Sequence, residues 1–398
     1  MKQIVIATPV RTAVGKMGGA LKNMQAESLA KVVLESALAQ AAIDPALVDE
    51  VILGHCRQTS DNPNIARVAA LMAGIPESAS AHTVMRQCAS GMTAVQNGAM
   101  SILTGVNDVV LAGGTESMTN GIFYLRGARY GLGTGNATIY DSLTEVQYCS
   151  QPQDIYGRFN MGMTAENVAD KHGITRQEQD EFALASQQKA AAAIAAGTFK
   201  DEIVPVVMPQ RKGEAIVFET DEFPRAVTME QLGKLPAVFR EGGTVTAGNA
   251  SGRNDGASAL LLATQERAAE LGLKPFTKII GMGAAGTDPR LMGLGPVAST
   301  QKALKYAGLT MDDIGLIELN EAFAAQSIGC IREMGLEKRT DIVNVSGGAI
   351  ALGHPVGSSG CRILVTLAHA MRKRGVKYGL ATLCIAGGMG QSTILELI

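Results

Sequence analysis

The chain has 398 residues, a formal net charge of −2 and a hydrophobic fraction of 46%, enough for two or three domains around large cores. A near-neutral charge without a long Lys/Arg run argues against a nucleic-acid partner, and no apolar run of about eighteen residues predicts a membrane span. Its 46 glycines, against 4% aromatic residues, favour close backbone packing and glycine-rich turns.

In chain order, Met1–Pro9 reads as a strand entering a loop, without the texture of a leader or transit peptide. Ala37–Ile43 is a helical segment that turns into the apolar strand Glu50–Leu53. Val84 ends a short strand, Ser90–Ile102 reads as a helix and Asp108–Ala112 as a strand. From about Asn120 to Thr246 the chain is rich in Gly, Gln and charge. That stretch holds a long Ala-rich helix, Arg176–Ala196, with Thr175 and Glu178 as a capping box and Gly197 as its stop. Beyond it come the strand-like Phe276–Ile280, the helix Ala303–Leu309, strands at Ile342–Val345 and Leu380–Ile385, and between these two the helix Ser359–His369. Short apolar strands alternating with helices imply mainly parallel sheets buried on both faces.

The two ends resemble one another. Ala37–Ile43 followed by Leu47–Ile52 has a counterpart in Ala303–Leu309 followed by Asp313–Ile317, and Val109–Gly114 echoes Leu383–Gly388. The offset that carries Ile43 onto Leu309 also carries Cys88 onto His354. Two copies of one α/β unit packed face to face would bring these loops together at a shared cleft.

Three residues in glycine-rich settings stand out. Cys88, in Arg86-Gln-Cys-Ala-Ser-Gly91, sits at the start of a helix, where free N–H groups and the helix dipole are expected to ease formation of a thiolate. His354, in Gly353-His-Pro-Val-Gly-Ser-Ser-Gly360, can take a proton from a thiol and return it. Cys384 ends a strand and enters Ala386-Gly-Gly-Met-Gly390, whose backbone N–H groups can face a ligand oxygen. A nucleophilic thiol, an imidazole and a second proton-moving thiol suit carbon–carbon bond chemistry between thioesters. Asn320 can orient a water or donate to a carbonyl; its plainer role is a helix cap. His55, His82, His172 and His369 take ordinary surface or core roles. Six scattered cysteines without paired spacing fit a reducing, cytoplasmic setting and no metal site. Gly281-Met-Gly-Ala-Ala-Gly286 matches a dinucleotide-binding pattern, but Pro289 and Pro296 should forbid the helix that must follow, so a nicotinamide site is rejected.

These segments resemble the thiolase family from end to end. The resemblance rests on Cys88-Ala-Ser-Gly91, Gly242–Gly252, Asn320-Glu-Ala-Phe323, Gly347–Pro355 and the Cys384 box, in that order. It implies an α/β, five-layered αβαβα core built from two βαβαβαββ halves, with a loop domain inserted in the first. On that basis residues 1–119 with 247–270 form one half, 120–246 the inserted lid and 271–398 the other half. The resemblance further implies that Cys88 is acylated, that His354 activates it and that Cys384 is the acid and base at the α-carbon. One oxyanion hole comes from His354 and a water held by Asn320, the other from the N–H groups of Cys88 and Ala386. Ser251, Arg225 and Phe239 fall where the family holds coenzyme A; Met161, Met292, Phe323 and Asn160 fall around the acyl pocket.

The chain departs from the family pattern at Met85, Asn160, Ala386 and Tyr148–Asp154. The expected activity is reversible, ping-pong Claisen condensation of acetyl-CoA with itself or another acyl-CoA. Coenzyme A and acyl-CoA enter as substrates, with no tightly bound cofactor. Arg126–Gly133 falls where tetrameric members join, so a homotetramer is expected. Two alternatives stand: a decarboxylating condensing enzyme of the ketoacyl-synthase type, and a non-catalytic subunit that keeps the fold.

Overall fold

The computed structural model describes residues 2–210 and 212–398. Its frame is an eleven-stranded sheet. Nine strands form the main path: β1 (Ile4–Thr12), β2 (Glu50–Gly54), β3 (Ser80–Val84), β4 (Val109–Ser117), β5 (Asn254–Thr264), β6 (Thr277–Gly286), β7 (Leu316–Leu319), β8 (Tyr378–Ile385) and β9 (Met389–Leu397). Their spatial order is β7-β8-β9-β6-β1-β5-β4-β2-β3. Only three residue pairs, from Ile4↔Ile279 to Ile6↔Thr277, join β1 to β6 across the middle. Outward from that seam each half repeats one pattern of antiparallel, antiparallel, then parallel pairing.

The sheet is therefore mixed, not mainly parallel. Strands buried on both faces carry the same apolar run whichever way they pair, and connection length decides the direction. Only Ala386–Gly388 separate β8 from β9, so that pair must be antiparallel. The strand expected at Ile342–Val345 shrinks to a single bridge, Val343 to Ile317. Asn344 turns out of the strand at φ 46°. Its side chain replaces the ladder, accepting from Leu319 N at 2.9 Å and donating to Leu319 O at 2.8 Å.

The helices that matter are α1 (Ala26–Ala41), α2 (Ile65–Met72), α3 (Ser90–Leu103), α4 (Ser142–Tyr148), α5 (Met161–His172), α6 (Arg176–Ala195), α7 (Gly295–Ala307), α8 (Ala324–Glu333) and α9 (Val356–Arg374). Side-chain alternation sorts the core into three sheets of contact. Val5 and Ala7 of β1 pack towards α1 and α2. Ile4 and Ile6 face inwards, with α3 and α9 between the two half-sheets. Leu380 and Ile394 pack outwards towards α7 and α8. The result is the five-layered αβαβα core. The sandwiched α9 is buried from Val356 to Ala368, as a helix with no solvent face must be.

Helix α6 has the expected capping box, with Thr175 N donating to Glu178 Oε2 at 2.7 Å, and the chain turns left-handed at Gly197, φ 66°. Buried Glu321 ties this helix to the second half, accepting from Ser186 Oγ and Asn344 Nδ2, each at 2.7 Å. Arg11 ties β1 to the stretch that follows α6 through Glu202 at 2.6 Å and Asp221 at 2.7 Å. The run Gly281–Gly286 lies within the extended β6 and forms no phosphate turn. A helix does follow, however: Pro296 occupies the first turn of α7, where its missing N–H is harmless. The glycines are there because α7 lies so close that a Cβ on Gly283 would reach Ala303 N at 2.7 Å.

Candidate active site

The repeat places the two central helices so that their N-termini meet. Helix α3 starts two residues after Cys88, and α9 two residues after His354. The approach is too close for side chains: a Cβ on Gly91 of α3 would lie 2.8 Å from Cys361 N and 3.0 Å from the Gly357 carbonyl, and one on Gly114 of β4 would overlap that same carbonyl. The fully buried Glu116 fastens the junction. It accepts from Cys56 N at 3.2 Å, Arg57 N at 3.0 Å and Gly357 N at 2.9 Å, and it pairs with His55 Nδ1 at 3.1 Å. Burial opposes its charge, yet His55 and Arg57 hold it below the usual carboxylate range. His55 is thus a structural partner at the junction.

Cys88 follows Gln87, a non-glycine residue held at φ 48°. Ser90 Oγ fixes this turn by donating to Gln87 O at 2.7 Å and accepting from Arg86 N at 2.8 Å. The turn lifts the sulfur into a cavity, where the backbone N–H groups of Ala386 and of Cys88 itself favour its charged form. The expected easing of thiolate formation does not hold. Burial pushes the Cys88 thiol up to about 11, and the Ala386 N–H and the Arg57 charge offset that only in part. The resting group is a thiol.

His354 follows Gly353, at φ 96°, and its N–H donates to Asn254 Oδ1 at 2.9 Å. Its Nδ1 meets Ser359 Oγ at 2.6 Å, and that hydroxyl donates to Pro355 O at 2.9 Å. With the serine proton engaged, Nδ1 carries the hydrogen and Nε2 keeps a lone pair. Nε2 is buried without a partner among the described residues. Burial, aided by Arg362, lowers the imidazole pKa to about 4. A neutral base therefore stands ready to accept a proton.

Cys88, His354, Ala386, Ser251, Phe239, Met161, Met292 and Phe323 all line one cavity of about 230 Å³. Cys384 lies just behind its wall, fully buried and packed with Met292 and Ala322. Burial first, then the nearby Cys88 sulfur, push its thiol well above the ordinary value. Asn320 is 1% exposed, and neither side-chain atom has a partner among the described residues. It does not cap α8, whose first turn is served by Gln326 Oε1, 3.1 Å from Ala322 N.

Besides Cys384 and Asn320, two further expected residues stand off the cavity lining. Asn160 caps α5, accepting from Met163 N at 3.0 Å, and donates to Tyr148 Oη at 3.2 Å. Arg225 is exposed and stacks at 5.1 Å on Phe223, which in turn abuts Gly252 beside Ser251. Sequence reasoning missed Ser359, Arg57 and the α4 residues Leu143, Val146 and Gln147, which also wall the cavity. Arg57 had a readable cue, since it follows β2, and strand ends at a parallel edge commonly face a site.

A thiol and a neutral imidazole at one cavity, backed by two convergent N–H groups and a second thiol, can pass an acyl group through sulfur. Residues 4–266 match the family described as thiolase, N-terminal domain, and residues 273–397 match thiolase, C-terminal domain. The chain belongs to the thiolase family. It is 48% identical over 397 residues to an acetyl-CoA acetyltransferase of Syntrophomonas wolfei, covering all of both chains. It is 49% identical to one of Pseudomonas aeruginosa, covering 99% of each. Among solved structures it is similar to the acetyl-CoA acetyltransferase of Bacillus anthracis, with a TM-score of 0.96 at 44% identity and coverage of 100% and 99%. It is also similar to human mitochondrial 3-ketoacyl-CoA thiolase, with a TM-score of 0.94 at 40% identity and the same coverage.

The departures of this thiolase from the family pattern have local explanations at two positions. Ala386 sits without strain because Gly387 (φ 93°) and Gly388 (φ 82°) make the left-handed turn instead. Asn160 and Tyr148 are bonded to each other, so those two changes act as a pair. Met85 is 55% exposed, and nothing in the structure explains it.

Proposed function

We propose that this thiolase is an acetyl-CoA C-acetyltransferase that joins acetyl-CoA to a second acyl-CoA, or cleaves the product, through an acyl-Cys88 intermediate. The observation that carries this reading is the Cys88 thiol and the neutral His354 on one cavity, with the Cys384 thiol packed just behind its wall against Met292 and Ala322.

In cleavage, Cys88 Sγ attacks the 3-oxo carbon as its proton passes to His354 Nε2. The N–H groups of Cys88 and Ala386 receive the developing oxyanion. The C2–C3 bond breaks, and Cys384 protonates C2 to release acetyl-CoA. A thiol held above its ordinary pKa is already in the form this step needs. Coenzyme A then attacks the acyl-Cys88 carbonyl. The proton of its thiol restores Cys384, and the one on His354 returns to Cys88. Condensation runs the same bonds in reverse. Acylation of Cys88 then removes one of the three influences, burial, Cys88 and Cys330, that hold Cys384 protonated. The buried, unpartnered Asn320 amide suits an enolate-oxygen donor or its water.

Ser251 and Phe239 are assigned to the pantetheine arm, Arg225 to the nucleotide end beyond Phe223, and Met161, Met292 and Phe323 to the acyl pocket. Residues 120–246 act as a lid, supported by the α4 side chains, Met161 and Phe239 that they supply to the cavity. Homotetramer formation is supported by a hairpin of Phe123–Leu125 with Ile139–Asp141, whose surroundings leave Phe123 68% and Tyr130 97% exposed. Six free cysteines fit a reducing, cytoplasmic setting. The test is coenzyme A-dependent loss of acetoacetyl-CoA absorbance. Cleavage supports the assignment; inertness together with turnover of malonyl thioesters would transfer it to the decarboxylating class.

A further inference from the structure

The cavity wall carries a cation that the steps above leave without a substrate contact. Arg57 lines the same cavity as Cys88 and His354. With Val146 it also lines a second groove of about 390 Å³, so the two share these residues as a wall. That groove includes neither Ser251 nor Phe239, so it extends from Arg57 without the proposed pantetheine residues.

Arg57 is half-buried, and its Nε is fully buried without an acceptor among the described residues. The carboxylates around it are committed elsewhere. Glu116 bonds His55 and three backbone N–H groups, Arg57's own among them, rather than the guanidinium. Glu145 in the groove pairs with Arg126 at 3.3 Å. The lining it shares includes the apolar Met118, Leu143 and Val146 beside the neutral polar Gln87 and Gln147. Glu116 feels the Arg57 charge, yet among the described residues no carboxylate pairs directly with the guanidinium, whose buried Nε donor stays unused. Its planar fork matches a carboxylate bidentately.

Resting on the thiolase reading of this site, we infer that Arg57 selects the acyl group, and that the favoured partner of acetyl-CoA is an acyl-CoA whose short chain ends in a carboxylate, of the succinyl or glutaryl class. The terminal carboxylate meets Arg57 while the thioester carbonyl lies at Cys88. The bonds made and broken are those of the reaction above, and the product is a 3-oxoacyl-CoA with a charged tail.

The experiment compares thiolysis of 3-oxoadipyl-CoA and 3-oxohexanoyl-CoA, equal in chain length and different only in the terminal group, with acetoacetyl-CoA as control. Wild type, Arg57→Met and Arg57→Lys are measured side by side. Wild type is expected to favour the carboxylate. In Arg57→Met the ratio of kcat/KM values should fall by about tenfold to a hundredfold, the scale of a charged hydrogen bond, mostly through KM. Arg57→Lys, which keeps the charge without the fork, should lie between. A wild type that prefers the neutral tail overturns the inference. So does equal loss on both tails, in either variant, since Arg57 would then serve the sulfur alone. Failure on all three substrates, acetoacetyl-CoA included, is failure of the thiolase activity itself, and the inference falls with it.

Discussion

The Nδ1 atom of His354 lies 2.6 Å from Ser359 Oγ, and the Ser359 hydroxyl points its own hydrogen at the Pro355 carbonyl 2.9 Å away. This chain fixes which imidazole nitrogen can act as the base. In Ser359→Ala the ring loses that orientation and samples both tautomers. The kcat for acetoacetyl-CoA cleavage is expected to fall about tenfold, the equivalent of one lost hydrogen bond of roughly 1.4 kcal/mol, with KM little changed. Steady-state kinetics decides; an unchanged kcat removes Ser359 from a positioning role.

The pH behaviour follows from a thiol pushed up to about 11 beside an imidazole lowered to about 4. Such a pair rests neutral, so iodoacetamide should alkylate Cys88 slowly at neutral pH and steadily faster towards pH 11. The unfolded chain binds the His354 proton near 6.5 and the folded chain only near 4. Its stabilising contribution is therefore whole above about pH 6.5 and is lost as pH falls towards 4. The acid limb of kcat/KM should likewise lie well below the usual histidine range. An alkylation plateau below pH 7 would indicate a preformed thiolate–imidazolium pair and contradict this assignment.

Gly114→Ala tests the junction beneath the site. The added methyl would overlap the Gly357 carbonyl at the start of α9, and backbone cannot step aside as a flexible side chain does. The expected loss is about 1–3 kcal/mol or more, the scale of overpacking in a tight core. Thermal unfolding should show a lower Tm, and the soluble fraction should lose activity beyond its loss of stability because Cys88 and His354 separate. A variant with wild-type Tm and activity would mean that α9 has slack where it seats on β4.

What the sequence disclosed and what it withheld divide along physical lines. The offset relating Cys88 to His354 was readable because both halves keep the same spacing from residue to helix start, and α3 and α9 begin accordingly. Thr175 and Glu178 marked α6 because a capping box is a local device. Strand direction was not readable, since β8 and β9 are buried on both faces and only their connection reveals the pairing. Nor was Asn344, whose side chain stands in for a strand ladder. The thiol state of Cys88 was misjudged because helix position is visible in a sequence and desolvation is not. Arg57 escaped notice for a related reason: an arginine on a loop is ordinary until its carboxylate neighbours prove to be engaged elsewhere.

The central claim is that two thiols divide the work, one holding the acyl group and the other moving the proton on carbon. Intact-mass analysis after mixing with acetyl-CoA tests it directly, followed by assay for acetoacetyl-CoA. Wild type and Cys384→Ala should each gain one acetyl group, Cys88→Ala none, and only wild type should form the condensed product. Acetylation that persists in Cys88→Ala, or condensation that persists in Cys384→Ala, would contradict the account.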